Sequence, residues 1–182
     1  MESILVSNVG FFWREDHVFW GAGSSAGSLL GVPAKNVTSR VIDFREPSGI
    51  YVLYSDYKVL YVGQCELGRQ KLLNRLKQHR VDDLAERWDR FSWFGIRRVL
   101  GNGELSKEKL AVHPTLANVL NPVEGVLIHA IEPAMNSQKG RFGKRVTRYL
   151  QVRDSRLGPT TDEMLELLCE ENAIDLKTLR KG

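Results

Sequence analysis

Residues 49–63, GIYVLYSDYKVLYVG, decide the fold predicted for this chain. Two runs rich in β-branched and aromatic residues flank the segment 55–58, a pattern typical of a β-hairpin. Tyr51 and Tyr61 lie on the two predicted strands. A loop with an odd number of residues places them opposite each other on one face, whereas an even loop places them on opposite faces, because side chains alternate along a strand. The sequence leaves both registers open.

The segments around the hairpin predict an α+β fold built on a small antiparallel sheet. The helix that follows the hairpin has Leu72, Leu73 and Leu76 as its buried stripe. Helices are predicted over 67–80, 82–90, from Asn121-Pro122 to Pro133, and over 161–181, and the third strand over 91–100. We divide the chain into an N-terminal aromatic β extension (1–46), a central domain (47–153) and a C-terminal helix (154–182).

Composition excludes several classes of protein. The 182 residues are 42% hydrophobic and 26% charged, which is ordinary for a globular chain. The two cysteines, Cys65 and Cys169, form no spacing motif, so a disulfide scaffold and a cysteine-rich zinc finger are excluded. The first ten residues lack a basic region, and no apolar run approaches ~18 residues. We therefore expect a soluble, cytoplasmic chain.

Positive charge is concentrated in the middle of the chain, and residues 136–153 are its densest part. They contain six cations and no acid: Lys139, Arg141, Lys144, Arg145, Arg148 and Arg153. A nucleic-acid backbone would supply the missing counter-charge. A solvated helical face explains the same pattern, and charge alone does not decide between them.

Residues 1–46 combine an aromatic stretch with a loop rich in Gly and Ser. Residues 9–20, VGFFWREDHVFW, predict two short strands around an Arg-Glu-Asp turn. The loop contains Gly21-x-Gly23-x-x-Ala26, but no βαβ unit follows and no Gly-Lys-Ser/Thr is present, so a dinucleotide fingerprint and a P-loop are excluded. The aromatic side chains either pack against the hairpin or contact bases or a partner chain.

Polar side chains on the predicted helices form a second pattern. Lys71, Arg75 and His79 are spaced i, i+4, i+8 and form one stripe beside the leucines. Glu124 falls in the first turn of its predicted helix, where Asn121 and Glu124 fit a capping box. Each of these residues has an ordinary structural explanation when it is taken alone.

Taken together, these residues resemble the motifs of GIY-YIG nucleases. Gly49-Ile50-Tyr51 and Tyr61-Val62-Gly63 are similar to the paired hairpin motifs, with nine residues between the tyrosines and Val62 in place of the usual Ile. In that family an Arg follows on the next helix, often with a His one turn later, and Arg75 and His79 match. The later family pattern is E-x-x-L-I-x-x-x-x-P-x-x-N. Residues 124–136, EGVLIHAIEPAMN, fill its five specified positions with Glu124, Leu127, Ile128, Pro133 and Asn136.

The resemblance covers about half of the chain and implies a small three-stranded antiparallel sheet flanked by helices. It also implies divalent-metal-dependent hydrolysis of phosphodiester bonds, usually in DNA. It implies that Glu124 holds Mg²⁺ or Mn²⁺, and its single carboxylate predicts a one-metal mechanism. Tyr51 is then the base for the attacking water, with Tyr61 orienting or sharing the task. Arg75 stabilises charge on the phosphoryl group, and His79 assists.

Other residues are implied in supporting roles. Lys71 lies one helical turn before Arg75 on the same polar stripe, and the matched Asn136 would position the Glu124 helix and the metal shell. The cations from Lys139 to Arg148 would follow the DNA backbone. Because one site cuts one strand, a double-strand break requires two copies of the chain, as in a homodimer, or two events. An RNase, a structure-selective nuclease and a catalytically silent nucleic-acid-binding module remain as alternatives.

Overall fold

The computed structural model describes residues 6–65, 71–107, 116–131 and 146–171, and they form a seven-stranded mixed sheet with three α-helices. The strands are β1 (Asn8–Arg14), β2 (Leu30–Pro33), β3 (Ile42–Asp43), β4 (Gly49–Ser55), β5 (Lys58–Cys65), β6 (Arg90–Gly95) and β7 (Thr147–Gln151). The helices are α1 (Leu72–His79), α2 (Leu116–Ile131) and α3 (Thr161–Glu171). The order across the sheet is β3-β2-β7-β1-β6-β4-β5. β1 and β7 are parallel, and the other neighbours are antiparallel.

The prediction of a three-stranded sheet is wrong, although the α+β class holds. β5, β4 and β6 form the predicted antiparallel unit, but β1 pairs with the second edge of β6 and β7 continues beyond β1. An aromatic cluster joins these strands. The ring centroid of Phe44 lies 4.5 Å from the ring centroid of Trp93 and 4.5 Å from that of Tyr149. Trp13 packs edge-on against Trp93 at 5.4 Å. Burying these rings stabilises the larger sheet, and the residues come from distant parts of the sequence.

The predicted hairpin over 9–20 does not form. Its first half is β1, but the chain then turns through a short 3₁₀ helix, and Phe19 makes one bridge with Ser28 instead of returning along β1. The strand order of the whole sheet explains this, because both sides of β1 are already paired with β6 and β7.

Two helix predictions also need correction. Residues 82–90 form turns and the start of β6, because Glu86 has a left-handed φ of 61°, which a right-handed helix does not accommodate. α2 is already helical at Leu116, so Asn121 is not its N-cap, Pro122 is internal, and the capping-box explanation of Glu124 is wrong. The C-terminal helix is described as far as Glu171, and the rest of its predicted range lies outside the described residues.

The predicted β4–β5 hairpin is confirmed, and a bulge decides its register. Asp56 and Tyr57 form a two-residue turn with φ values of 47° and 66°, typical of tight hairpins. This even loop alone would place the two motif tyrosines on opposite faces. The pairing shifts by one residue at Leu60, so Tyr61 pairs with Leu53, and Gly63 pairs with Tyr51. Tyr51 and Tyr61 therefore point from the same face of the sheet.

The two faces of the hairpin carry different helices. Tyr51 and Leu53 pack with the leucine stripe of α1. Val52 and Tyr54 point the other way and pack with Ala130 of α2. α1 thus covers the face that carries the motif tyrosines, whereas the described core contacts of α2 lie on the opposite face. Over the described ranges, no helix is long and apolar enough to cross a membrane.

Candidate functional site

Four of the predicted site residues converge at the edge of the sheet. Tyr51 comes from β4, Tyr61 from β5, and Arg75 and His79 from α1. Arg75 and His79 are four residues apart, so they lie on one side of the helix, one turn from each other. The hydrophobic stripe of α1 is buried and holds this polar side against the hairpin. The elements predicted from the sequence therefore place these side chains together.

The hydroxyl of Tyr51 is the centre of the cluster. It lies 2.7 Å from Nε2 of His79, and Nε of Arg75 donates to it over 3.2 Å. Nη2 of Arg75 reaches the hydroxyl of Tyr61 at 3.5 Å. One guanidinium therefore spans both phenols, as its planar arrangement of donors permits. Nη1 of Arg75 donates to Gln78 over 2.8 Å, which orients the group further.

Asp82 extends the cluster on its far side. Its Oδ2 lies 2.7 Å from Nδ1 of His79, and its Oδ1 accepts the N–H of Leu84 over 2.9 Å. The sequence predicted a helix over 82–90 and did not indicate the contact of Asp82 with His79. Asp82 follows His79 by three residues, a spacing at which two side chains can meet. The turn that brings them together has no hydrophobic periodicity, so the sequence pattern did not predict the contact.

The pKa of Tyr51 is raised to about 12, so its phenol is protonated at neutral pH. Burial is the main cause, because a phenolate loses its hydration there. The hydrogen bond and charge of Arg75 lower the pKa, whereas the nearby Tyr61 raises it. The phenolate fraction at pH 7 is on the order of 10⁻⁵. Tyr51 therefore needs a local proton acceptor before it can act as a base.

We expect stability to fall at alkaline pH because of Tyr51. Its folded pKa lies above the unfolded value of about 10, so the contribution is fully present below pH 10 and is lost as pH rises towards about 12. The free energy of unfolding falls by at most about 3 kcal/mol from this cause. Urea unfolding from pH 8 to 12 should show a shallower decline for Tyr51→Phe than for the unaltered chain. Equal slopes for the two proteins would contradict the assignment to Tyr51.

An open pocket of about 490 Å³ gives access to the cluster. It is lined by Ile50, Tyr61, Val62, Gly63, Gln64 and Arg75. Tyr51 is fully buried behind this surface, and the side chain of His79 is 4% exposed. A ligand in the pocket would therefore meet Tyr61 and Arg75 directly, with Tyr51 and His79 one layer behind them.

The motif glycines fit this geometry for steric reasons. A Cβ at position 63 would lie 2.4 Å from both Cζ and the hydroxyl oxygen of Tyr51. Gly49 has a φ of 150°, and a Cβ there would lie 1.9 Å from the carbonyl oxygen of Phe94. Because Gly63 has no Cβ, there is room for the buried phenol. Because Gly49 has no Cβ, β4 can approach β6 closely. Both glycines thus position Tyr51 without any chemical role of their own.

The structure does not place the predicted metal ligand in the cluster. Glu124 lies on α2, its side chain is outside the described residues, and the described core contacts of α2 are on the other sheet face. Lys71 precedes α1 and pairs with Glu46. No group of three or more His, Cys, Asp or Glu in the described ranges could hold a metal ion. The described side chains around the pocket do not form a metal site without a further ligand.

The predicted nucleic-acid-binding cations are described only in part. Asn136, Lys139, Arg141, Lys144 and Arg145 lie outside the described residues. Arg148 is exposed on β7, with its guanidinium 5.3 Å from the ring centroid of Phe11. Phe11 in turn stacks on His129 of α2, with centroids 4.8 Å apart. This part of the cationic segment belongs to a strand instead of a helical face.

Comparisons with protein-family models, with curated proteins and with solved structures found no match for this chain.

Proposed function

We propose that this chain is a divalent-metal-dependent endonuclease of GIY-YIG type that hydrolyses DNA phosphodiester bonds. The observation that carries the proposal is the contact of Arg75 with both Tyr51 and Tyr61, with His79 on the far side of Tyr51. These residues come from the two hairpin motifs and the following helix, in the order that the resemblance implies. Their convergence at an open pocket supports a site for an anionic substrate.

Arg75 and Tyr61 are the groups that meet the phosphodiester. Both line the pocket, and the guanidinium offers N–H donors to phosphate oxygens. A fixed cation there stabilises the negative charge that builds up on the phosphoryl oxygens as water attacks. Arg75 is already oriented by Tyr51 and Gln78, so little reorganisation is needed when the substrate binds.

The buried pair of Tyr51 and His79 serves as the proton acceptor. As the water oxygen bonds to phosphorus and the P–O bond to the leaving nucleoside breaks, the water proton enters the pair of tyrosines that Arg75 bridges, and the leaving oxygen takes a proton from solvent. Tyr51 passes its own proton to His79, whose Nε2 lies 2.7 Å away. The phenolate that forms transiently is paired with the imidazolium of His79, whereas burial makes an unpaired phenolate rare at neutral pH.

The metal ion remains part of the proposal through Glu124. A carboxylate is the natural ligand for Mg²⁺, and the ion would supply further charge stabilisation at the phosphate. Glu124 matches the family pattern, but the described residues alone do not complete a site for the ion.

Cleavage of supercoiled plasmid tests the proposal. We expect nicking or linearisation with Mg²⁺ or Mn²⁺, and none with EDTA. Glu124→Ala should require a higher Mg²⁺ concentration for the same rate, because a ligand is lost. Glu132→Ala removes a similar carboxylate from the same region and serves as the control.

Four outcomes would contradict parts of this proposal. Cleavage in EDTA would exclude the metal requirement, and an unchanged Mg²⁺ requirement in Glu124→Ala would exclude this residue as a ligand. Salt-sensitive DNA binding without cleavage of plasmid, branched DNA or RNA would indicate a binding module. Cleavage of RNA alone, or of branched DNA alone, would support phosphodiesterase activity but identify a different substrate.

A further inference from the structure

We propose that Asp82 is a positioning residue that holds His79 in the tautomer whose Nε2 accepts the proton of Tyr51. Its catalytic meaning rests on the nuclease proposed above, whereas the tautomer itself does not depend on any activity. The resemblance assigns no role to Asp82, and the hydrogen bonds around its carboxylate carry the inference.

Both oxygens of Asp82 are engaged as acceptors. Oδ1 accepts the N–H of Leu84 over 2.9 Å, and Oδ2 lies 2.7 Å from Nδ1 of His79. Partial burial raises the pKa of Asp82, but the hydrogen bonds from Leu84 and His79 outweigh it and hold the pKa below its usual range. The group is therefore an ionised carboxylate at neutral pH. An ionised carboxylate has no proton to donate, so Nδ1 of His79 must carry the hydrogen.

This arrangement determines the state of the other ring nitrogen. In a neutral imidazole with hydrogen on Nδ1, Nε2 has a free lone pair. That lone pair faces the hydroxyl of Tyr51 at 2.7 Å, so Tyr51 donates to it. When the proton moves, the O–H bond of Tyr51 breaks and an N–H bond forms at Nε2. The products are a phenolate and an imidazolium, while Nδ1 keeps its hydrogen against the charge of Asp82.

The surroundings of His79 favour this direction of transfer. Tyr51 faces the imidazole from β4, and the ring of Tyr61 from β5 lies 4.8 Å away. Arg75, on the same helix, donates to the Tyr51 oxygen and stabilises a phenolate there. Asp82 contributes the negative charge that stabilises the imidazolium, and its side chain is 32% exposed. The main-chain oxygen of His79 accepts Nε1–H of Trp88 over 3.1 Å, which fixes the backbone.

Asp82→Asn tests the proposal with little change in shape. The amide has one accepting oxygen, and if it keeps the Leu84 N–H, the NH₂ group faces Nδ1 of His79. Nδ1 must then accept, and the hydrogen moves to Nε2, where it points at Tyr51. Long-range ¹H–¹⁵N correlation spectra distinguish the protonated from the bare nitrogen, and His79→Gln identifies the signals. We expect Nδ1–H in the unaltered chain and Nε2–H in Asp82→Asn.

Asp83→Asn is the matched control, because it removes the same charge from the neighbouring residue. Its tautomer should equal that of the unaltered chain. An Nε2–H tautomer in the unaltered chain, or an unchanged tautomer in Asp82→Asn, would overturn the proposal. Thermal unfolding of both variants identifies any loss of fold. If Asp82→Asn unfolds, the spectrum of the unaltered chain still decides the tautomer.

Plasmid cleavage adds the functional readout. We expect Asp82→Asn to slow cleavage by about tenfold to a hundredfold, and Asp83→Asn to leave it unchanged. A tautomer that switches without any change in cleavage rate would overturn the positioning role. If the unaltered chain cleaves nothing while the tautomer switches, the nuclease proposal fails and the assignment of Asp82 to His79 stands.

Discussion

Arg75→Ala should reduce plasmid cleavage on the order of 10³-fold while the protein remains folded. Arg75 is the charged group that both lines the pocket and touches the two motif tyrosines. Its removal takes away the donor at the phosphoryl oxygens and also raises the pKa of Tyr51, since Arg75 lowers that pKa in the intact site. Both changes raise the barrier to attack by water.

Two further variants make the Arg75 experiment specific. Arg75→Lys keeps the charge but not the fork of donors, so we expect it to recover only part of the lost rate. Arg87→Ala removes an exposed arginine whose one described side-chain hydrogen bond is long, 3.5 Å to the carbonyl oxygen of Asp83, and it should cleave normally. Thermal unfolding should give Arg75→Ala a free energy of unfolding within about 1 kcal/mol of that of the unaltered chain. Full cleavage by Arg75→Ala would show that Arg75, the central group of the proposed site, is not needed for catalysis.

The candidate site was more predictable than the sheet around it, because its residues are close in sequence. β4, β5 and α1 have clear local patterns, and Arg75 and His79 lie one helical turn apart. The same-face placement of the tyrosines was not predictable. It depends on the bulge at Leu60, and the sequence is compatible with either register.

The rest of the sheet depends on contacts between distant residues. Gly10 of β1 pairs with Trp93 of β6 and with Tyr149 of β7, and no periodicity in a short window reports such pairs. Asp82 was missed for a related reason, since a turn of the chain folds it back onto His79. The roles of Glu124 and of the cations outside the described residues stay predictions.

Gly63→Ala should damage both the fold and the site, although the glycine has no chemical function. A Cβ at position 63 would lie 2.4 Å from Cζ and from the hydroxyl oxygen of Tyr51, so the ring must move by about 1 Å to reach normal contact. We expect a cost of about 1–3 kcal/mol in the free energy of unfolding. A shift of that size breaks the 2.7 Å contact with His79 and should slow cleavage by ~10²-fold. Urea unfolding and the plasmid assay measure the two effects.

Gly101→Ala provides the comparison, because a Cβ there meets nothing within 4 Å. It should change neither stability nor cleavage. The decisive comparison is Gly63→Ala made in a Tyr51→Ala background, where the phenol that causes the clash is absent. If Tyr51 is the cause, the destabilisation by Gly63→Ala disappears there, and the two substitutions are strongly non-additive. An equal cost in both backgrounds would place the strain elsewhere in β5. The glycine of the second hairpin motif would then have no part in positioning Tyr51.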